Sequence, residues 1–194
     1  LGQPRFEPPK SLIKKTIESL NRKDVGYSSS YGIYSLREKL AARLSKQNPG
    51  IKVENAIIST ANLLISQCLH LFTNPHDRVA VFSPTFPTYI ASSNFLELDL
   101  VQVPLSFDKK FQLSMADIEK ALSLNPKVII INSANNPTGA IYKAKALNYL
   151  KERCEEENIC IISDETYSDI AYDKNFSSFL STPGDNVIVI SSFS

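Results

Sequence analysis

Where the apolar runs of this sequence stop, a carboxylate, an amide or a hydroxyl tends to follow. Residues 159–162, ICII, have the two-faced, β-branched character of a strand buried in a parallel sheet; Asp164 stands just past their end, with Tyr167 three residues on. In open α/β sheets the carboxyl ends of strands are where ligands bind, and a buried Asp demands a cation or a hydrogen-bond donor. The same position equally suits a helix cap or turn Asp. A second apolar run, residues 127–132, leads into SANNPTGA, residues 133–140. There Pro137 sets its own φ and disfavours helix at Asn136, while Gly139 permits a positive φ, so Asn136 is held in a defined turn. Taken alone, that turn is also an ordinary strand-to-helix loop. A third run, residues 187–190, ends in Ser191-Ser192-Phe193-Ser194. Three strand ends thus bring polar groups to one edge of a sheet.

NNPTG, DETY and SSFS, in that order, resemble the fold-type I pyridoxal-phosphate (PLP) enzymes, specifically the class I and II aminotransferases, and the resemblance covers nearly the whole chain. It implies that Asp164 pairs with the protonated pyridine nitrogen of PLP, that Asn136 and Tyr167 bond the ring hydroxyl, and that Ser192 helps hold the phosphate. The family's Schiff-base lysine comes after an S-x-S or similar triplet, which places it immediately after Ser194, with no catalytic residue inside the chain. Lys143, Lys145 and Lys151 fall on a charged helix and Lys174 in a polar loop, so none takes that place. Complete enzymes of the family add a small domain made from both chain ends, so the fold is expected to be incomplete at both ends.

Positioning these groups falls to a series of helices, strands and turns. LGQPRFEPPK resembles the family's G-x-P-x-F segment, which puts Gly2 at the substrate; a proline-rich lead into a helix is the plainer reading. A helix over residues 11–22 carries Ile13, Ile17 and Leu20 on one face. A second helix over residues 33–47 has Ser35 and Glu38 as a capping box and Leu36, Leu40 and Leu44 as a stripe. Tyr27, Gly32 and Leu36-Arg37 match the family's Y-x-x-x-x-G-x-x-x-L-R pattern, by which Tyr27 reaches the cofactor phosphate of a second subunit; the alternative is a loop aromatic packed on the helix.

Residues 56–60 form a short strand feeding a helix that carries Leu64, Cys68, Leu71 and Phe72. A helix N-terminus presents unpaired N–H groups and a favourable dipole to an anion. The family uses this turn for the PLP phosphate, usually as T-x-G; here it reads Thr60-Ala61-Asn62-Leu63-Leu64, so the contact falls to backbone N–H groups at Leu63 and Leu64. The strand 78–82 runs into Ser83-Pro84-Thr85-Phe86-Pro87, an extended loop from which Phe86 stacks on the pyridine ring by resemblance, or joins the core, while Tyr89 packs. A strand over 98–105, a Ser114-x-x-Asp117 capped helix, a charged helix over 143–158 and an irregular segment 167–179 complete the chain.

Five strand runs alternate with helices after residue 78, which argues for an α/β fold: a mostly parallel sheet with helices on both faces. Residues 1–50 are expected to form an N-terminal segment near the dimer interface and 51–194 part of the large PLP domain. The chain carries 21 Lys+Arg against 20 Asp+Glu, a net charge of +1, with no basic stripe, which argues against nucleic acid and membrane surfaces as partners. No apolar run approaches the roughly 20 residues that span a bilayer. Cys68, Cys154 and Cys160 form no CxxC and read as free thiols in a reducing cytoplasm. Six glycines write no GxGxxG or Walker loop, no His/Cys cluster has metal-ligand spacing, and His70 and His76 read as structural.

The resemblance implies an aminotransferase acting on an amino acid and a 2-oxo acid, with PLP as cofactor and a homodimer as the working unit. A PLP lyase of the same fold would share the pocket, because the pocket does not decide the fate of the carbanion left by the α-proton. A non-catalytic aminotransferase-like sensing module of a transcriptional regulator is the reading from a different class; it predicts a winged-helix domain upstream of Leu1.

Overall fold

The computed structural model describes residues 6–22, 26–172, 176–181 and 184–193. Six helices are present among them: α1 (Lys10–Asn21), α2 (Tyr34–Leu44), α3 (Ala61–Phe72), α4 (Pro87–Phe95), α5 (Met115–Leu122) and α6 (Ala144–Glu156). The strands are β1 (Arg78–Ser83), β2 (Asp99–Pro104), β3 (Val128–Asn132), β4 (Cys160–Asp164) and β5 (Val187–Ile190). They form one sheet in the order β2-β1-β3-β4-β5, and every pairing is parallel.

Successive side chains of a strand point to opposite faces, so a strand covered on both sides must be apolar at every position. β3 meets that demand, with all five residues buried. Ile162 joins Val79, Val81 and Ile130 against Ile65 and Leu69 of α3 and Tyr89 of α4. Its neighbour Ile161 joins Ile129 and Ile131 against Ile118 and Leu122 of α5 and Leu147 and Leu150 of α6. Each such side chain contributes about 1.5–3 kcal/mol on burial, so the two faces hold the sheet between two helical layers.

From β1 the chain moves outward to β2, then returns past β1 to lay down β3, β4 and β5 in turn. The strand order therefore reverses between β1 and β3. Beyond the carboxyl ends at such a reversal a parallel sheet leaves a crevice.

Local details depart from the sequence reading in several places. Residues 56–60 are not a strand: a 3-10 turn, Val53–Asn55, precedes them, and Ile58 N–H donates to the Tyr31 carbonyl at 3.0 Å without a ladder forming. A strand needs a neighbour along its whole length, and among the described residues this is the one backbone bond that residues 56–60 make to a neighbouring segment. Ser35 and Glu38 form no capping box either, because α2 starts from Ile33 as its N-cap with no side-chain cap bond. Helix α4 was not foreseen, although Pro87 at its first position is a standard helix opener. The stripe on α1 buries nothing among the described residues, with Ile13 47%, Ile17 53% and Leu20 58% exposed. By contrast Ser114 caps α5 as expected, accepting from Asp117 N–H at 3.3 Å while Asp117 Oδ2 accepts from Ser114 N–H at 3.0 Å.

Candidate active site

Asp164 closes β4 in register with Asn132 of β3 and Ile190 of β5, and only 5% of it is exposed. Its Oδ1 accepts from Thr166 N–H at 3.1 Å and Thr166 Oγ1 at 2.6 Å, an Asx turn of the kind Asp favours after a strand. Its Oδ2 accepts from the Tyr89 hydroxyl at 2.7 Å. Turn residue and buried carboxylate are thus one residue in two roles. Burial, then the charge of Asp164, push the Tyr89 hydroxyl far above its ordinary pKa, so it remains a donor. No basic side chain forms an ion pair with Asp164 among the described residues.

Beside it, the turn after β3 is held from within. Asn132 donates to the Asp164 carbonyl at 2.9 Å through Nδ2 and accepts from Asn136 N–H at 2.7 Å through Oδ1. Asn135 Oδ1 accepts from Thr138 Oγ1 at 2.8 Å, and Gly139, with φ +71°, donates its N–H to the Asn135 carbonyl at 2.7 Å. The positive φ is the one the sequence reading asked of Gly139. This frame aims Asn136 Nδ2 at the Tyr167 hydroxyl, 3.2 Å away, and both side chains are half-buried. The amide and the phenol, 31 positions apart, meet beside Asp164.

Phe86 is the half-buried N-cap residue of α4, its ring edge-on to Tyr89 with centroids 5.8 Å apart and planes at 75°. At the start of α3, the Leu64 N–H is already closed onto the Thr60 carbonyl at 3.0 Å. The open N–H groups of that helix end are therefore those of Ala61, Asn62 and Leu63, and Thr60 supplies no side-chain cap. Of the two leucines singled out from sequence, Leu63 presents an open N–H and Leu64 does not. Ser192 is half-buried two residues beyond β5, Tyr27 is fully exposed, and Gly2 lies outside the described residues.

The Tyr27-to-Arg37 pattern has a structural reason besides any chemistry. Gly32 sits at φ +95°, and a Cβ there would lie 2.8 Å from Ile58 Cβ, so only glycine lets the chain pass this close. Arg37 then donates to the Ala56 carbonyl at 2.6 Å and the Val53 carbonyl at 2.8 Å, with its guanidinium 5.4 Å from the centre of the Tyr31 ring. Together they tie the segment after Tyr27 to the chain that leads into α3.

Two residues of this region escaped the sequence reading. Tyr89 was read as packing; it does so, 1% exposed, but it also supplies the hydroxyl on Asp164. Its position three residues after Phe86, one turn into a helix opened by Pro87, was the available signal. Glu165, 2% exposed beside Asp164, gave no signal beyond its type.

Residues 1–194 match the family described as Aminotransferase class I and II. The aspartate aminotransferase of Thermotoga maritima is 31% identical over 197 residues, covering 100% of this chain and 52% of that protein. Aromatic-amino-acid aminotransferase 2 of Thermococcus litoralis is 32% identical over 183 residues, covering 91% of this chain and 47% of that protein. Among solved structures, the crystal structure of the T. maritima aspartate aminotransferase matches with a TM-score of 0.92 at 30% identity, covering 100% of this chain and 52% of that one. The aromatic aminotransferase from Pyrococcus horikoshii matches with a TM-score of 0.91 at 27% identity, covering 100% of this chain and 53% of that one. The chain spans about half the length of these relatives. With a parallel sheet whose order reverses between β1 and β3 and the NNPTG and DETY turns at its carboxyl edge, the chain belongs to the class I and II aminotransferase family.

Proposed function

We propose that this chain is the cofactor-binding part of a PLP-dependent aminotransferase that moves an amino group between an amino acid and a 2-oxo acid. One observation carries the reading: Asp164 is buried at a strand end with neutral donors from Tyr89 and Thr166 and no ion-pair partner among the described residues. A carboxylate so placed is stabilised by a cation, and the protonated ring nitrogen of PLP is one. The donor set around it fits the rest of that molecule, with an amide–phenol pair at Asn136 and Tyr167, an aromatic face at Phe86 and an uncapped helix end at α3.

When bound, PLP supplies an electron-withdrawing ring that lets a substrate's α-proton leave. The chain's own residues then divide the work. Asp164 keeps the ring nitrogen protonated, and the Tyr89 hydroxyl orients its carboxylate. Asn136 and Tyr167 donate to the ring hydroxyl's oxygen. Phe86 covers the ring and excludes water. Open N–H groups at Ala61, Asn62 and Leu63, with the Ser192 hydroxyl, take the phosphate, where helix dipole and donors act together. Tyr27, exposed on this chain, serves the phosphate of a second copy in a homodimer. In this scheme residues 51–194 belong to the large PLP domain and 1–50 to a segment near the dimer interface. The lysine that moves the proton comes directly after Ser194. A cytoplasmic location belongs to the same proposal, in keeping with free Cys68, Cys154 and Cys160; no described helix is long and apolar enough to cross a membrane.

The test is an absorbance scan of purified full-length protein from the near ultraviolet to the blue, before and after borohydride and with amino-acid donors. The expected result is a bound chromophore that borohydride bleaches, with mass spectrometry locating the pyridoxyl group on the residue after Ser194. No chromophore even with added PLP would overturn the assignment.

A further inference from the structure

Glu165 is the most deeply buried Asp or Glu among the described residues, 2% exposed, yet the chemistry assigned to Asp164 makes no use of it. Strand alternation sends it to the opposite face from Asp164. There Oε1 accepts from Ser163 Oγ at 3.0 Å and Phe179 N–H at 2.9 Å, while Oε2 accepts from Ser178 Oγ at 2.5 Å. Its backbone is equally engaged: the N–H donates to the Ile190 carbonyl of β5 at 2.7 Å, and the carbonyl accepts from Ser168 N–H at 2.9 Å. That last bond closes the turn holding Tyr167. Burial, the largest effect, holds the Glu165 carboxyl above the ordinary range even though its three donors act to lower it. An apolar side chain would fill such a site without the desolvation penalty, so a fully bonded carboxylate here specifies position.

We propose that Glu165 is a positioning residue for Asp164 and Tyr167: its carboxylate clasps the segment bearing Ser178 and Phe179 to the end of β4 and so fixes the turn from which Tyr167 meets Asn136. The proposal rests on the PLP reading of those residues. Hydrogen-bond geometry, not charge, performs the role. Glu165→Gln keeps an acceptor for Ser163 and Phe179 and offers Ser178 Oγ a donor in place of an acceptor. Glu165→Ala removes the acceptor that these three donors share.

The experiment takes full-length wild type, Glu165→Gln, Glu165→Ala and Ser178→Ala, titrates each with PLP by absorbance, and tracks the bound chromophore through a pH series. Melting of the PLP-free forms is recorded in parallel. Glu165→Ala is expected to weaken PLP binding about tenfold and to move the chromophore's pH midpoint by about half a unit, with Glu165→Gln within about twofold of wild type. Ser178→Ala, which removes one donor of the clasp, is expected to move the midpoint in the same direction by less. It carries the test should Glu165→Ala fail to fold. Lowered melting with wild-type affinity and midpoint would overturn the proposal while leaving the PLP reading intact. A wild type that binds no PLP overturns both.

Discussion

At the end of β4 two adjacent carboxylates face opposite layers of the molecule, and their surroundings differ in kind. Asp164 shares the layer of α3 and α4; it takes one donor from Tyr89, 75 positions away, and two from Thr166 next door, and its neighbours Thr166, Asn136, Tyr167 and Phe86 are half-buried. Glu165 shares the layer of α5 and α6, where Ser163 and Phe179 are buried and all three donors go to the carboxylate. Residue type is nearly the same on both faces. Each carboxylate takes three donors, two on one oxygen and one on the other, so what separates them is the company beyond those donors: half-buried Asn136, Tyr167 and Phe86 around Asp164, the buried α5/α6 core around Glu165. The first is the face that the PLP proposal uses and the second is the frame behind it.

Asp164→Ala should break the comparison most severely. In the full-length protein it is expected to weaken PLP binding by about 100-fold or more, because breaking a buried charge pair typically costs about 3–5 kcal/mol. Equilibrium titration of the chromophore measures it, and unchanged affinity would remove the binding face from the argument. Tyr89→Phe is milder: the ring stays in its cluster, one charge-assisted bond is lost, and stability is expected to fall by about 1.5–3 kcal/mol in urea unfolding. A smaller change would mean that water replaces the hydroxyl and that this face is more open than its burial indicates.

The smallest effect concerns the cysteines, which sample both layers. Burial pushes the Cys154 thiol, 0% exposed in the α5/α6 layer, up to about 12, and that of half-buried Cys160 up to about 11. At pH 8 about one Cys154 thiol in ten thousand is then ionised, and reaction needs the thiolate. A thiol reagent with mass-spectrometric mapping should therefore leave Cys154 unmodified until the protein unfolds, with Cys68 modified first. Early labelling of Cys154 would show that the frame face opens.

Much of this was legible in the residues themselves. Runs such as VIII and ICII have the β-branched, two-faced character of strands covered on both faces, and the β3, β4 and β5 turns carried NNPTG, DETY and SSFS as local signatures. Asn136, Asp164 and Tyr167 were singled out that way, and the structure brings them to one edge of the sheet, because a turn's residues are specified within a few positions of one another. Capping was less legible. Ser114 caps its helix while Ser35 does not, since the passage of Gly32 against Ile58 sets where α2 begins.

The sequence by itself determined the alternating α/β pattern, the polar strand ends and the glycines that permit positive φ at positions 32 and 139. Tertiary structure alone decided the order β2-β1-β3-β4-β5, the failure of residues 56–60 to become a strand, and the pairing of Tyr89 with Asp164. Local preference acts over one or two turns of chain. Which distant donor meets a buried carboxylate, or whether an extended segment finds a ladder partner, depends on which strands and helices pack side by side, and no short window of residues contains that information.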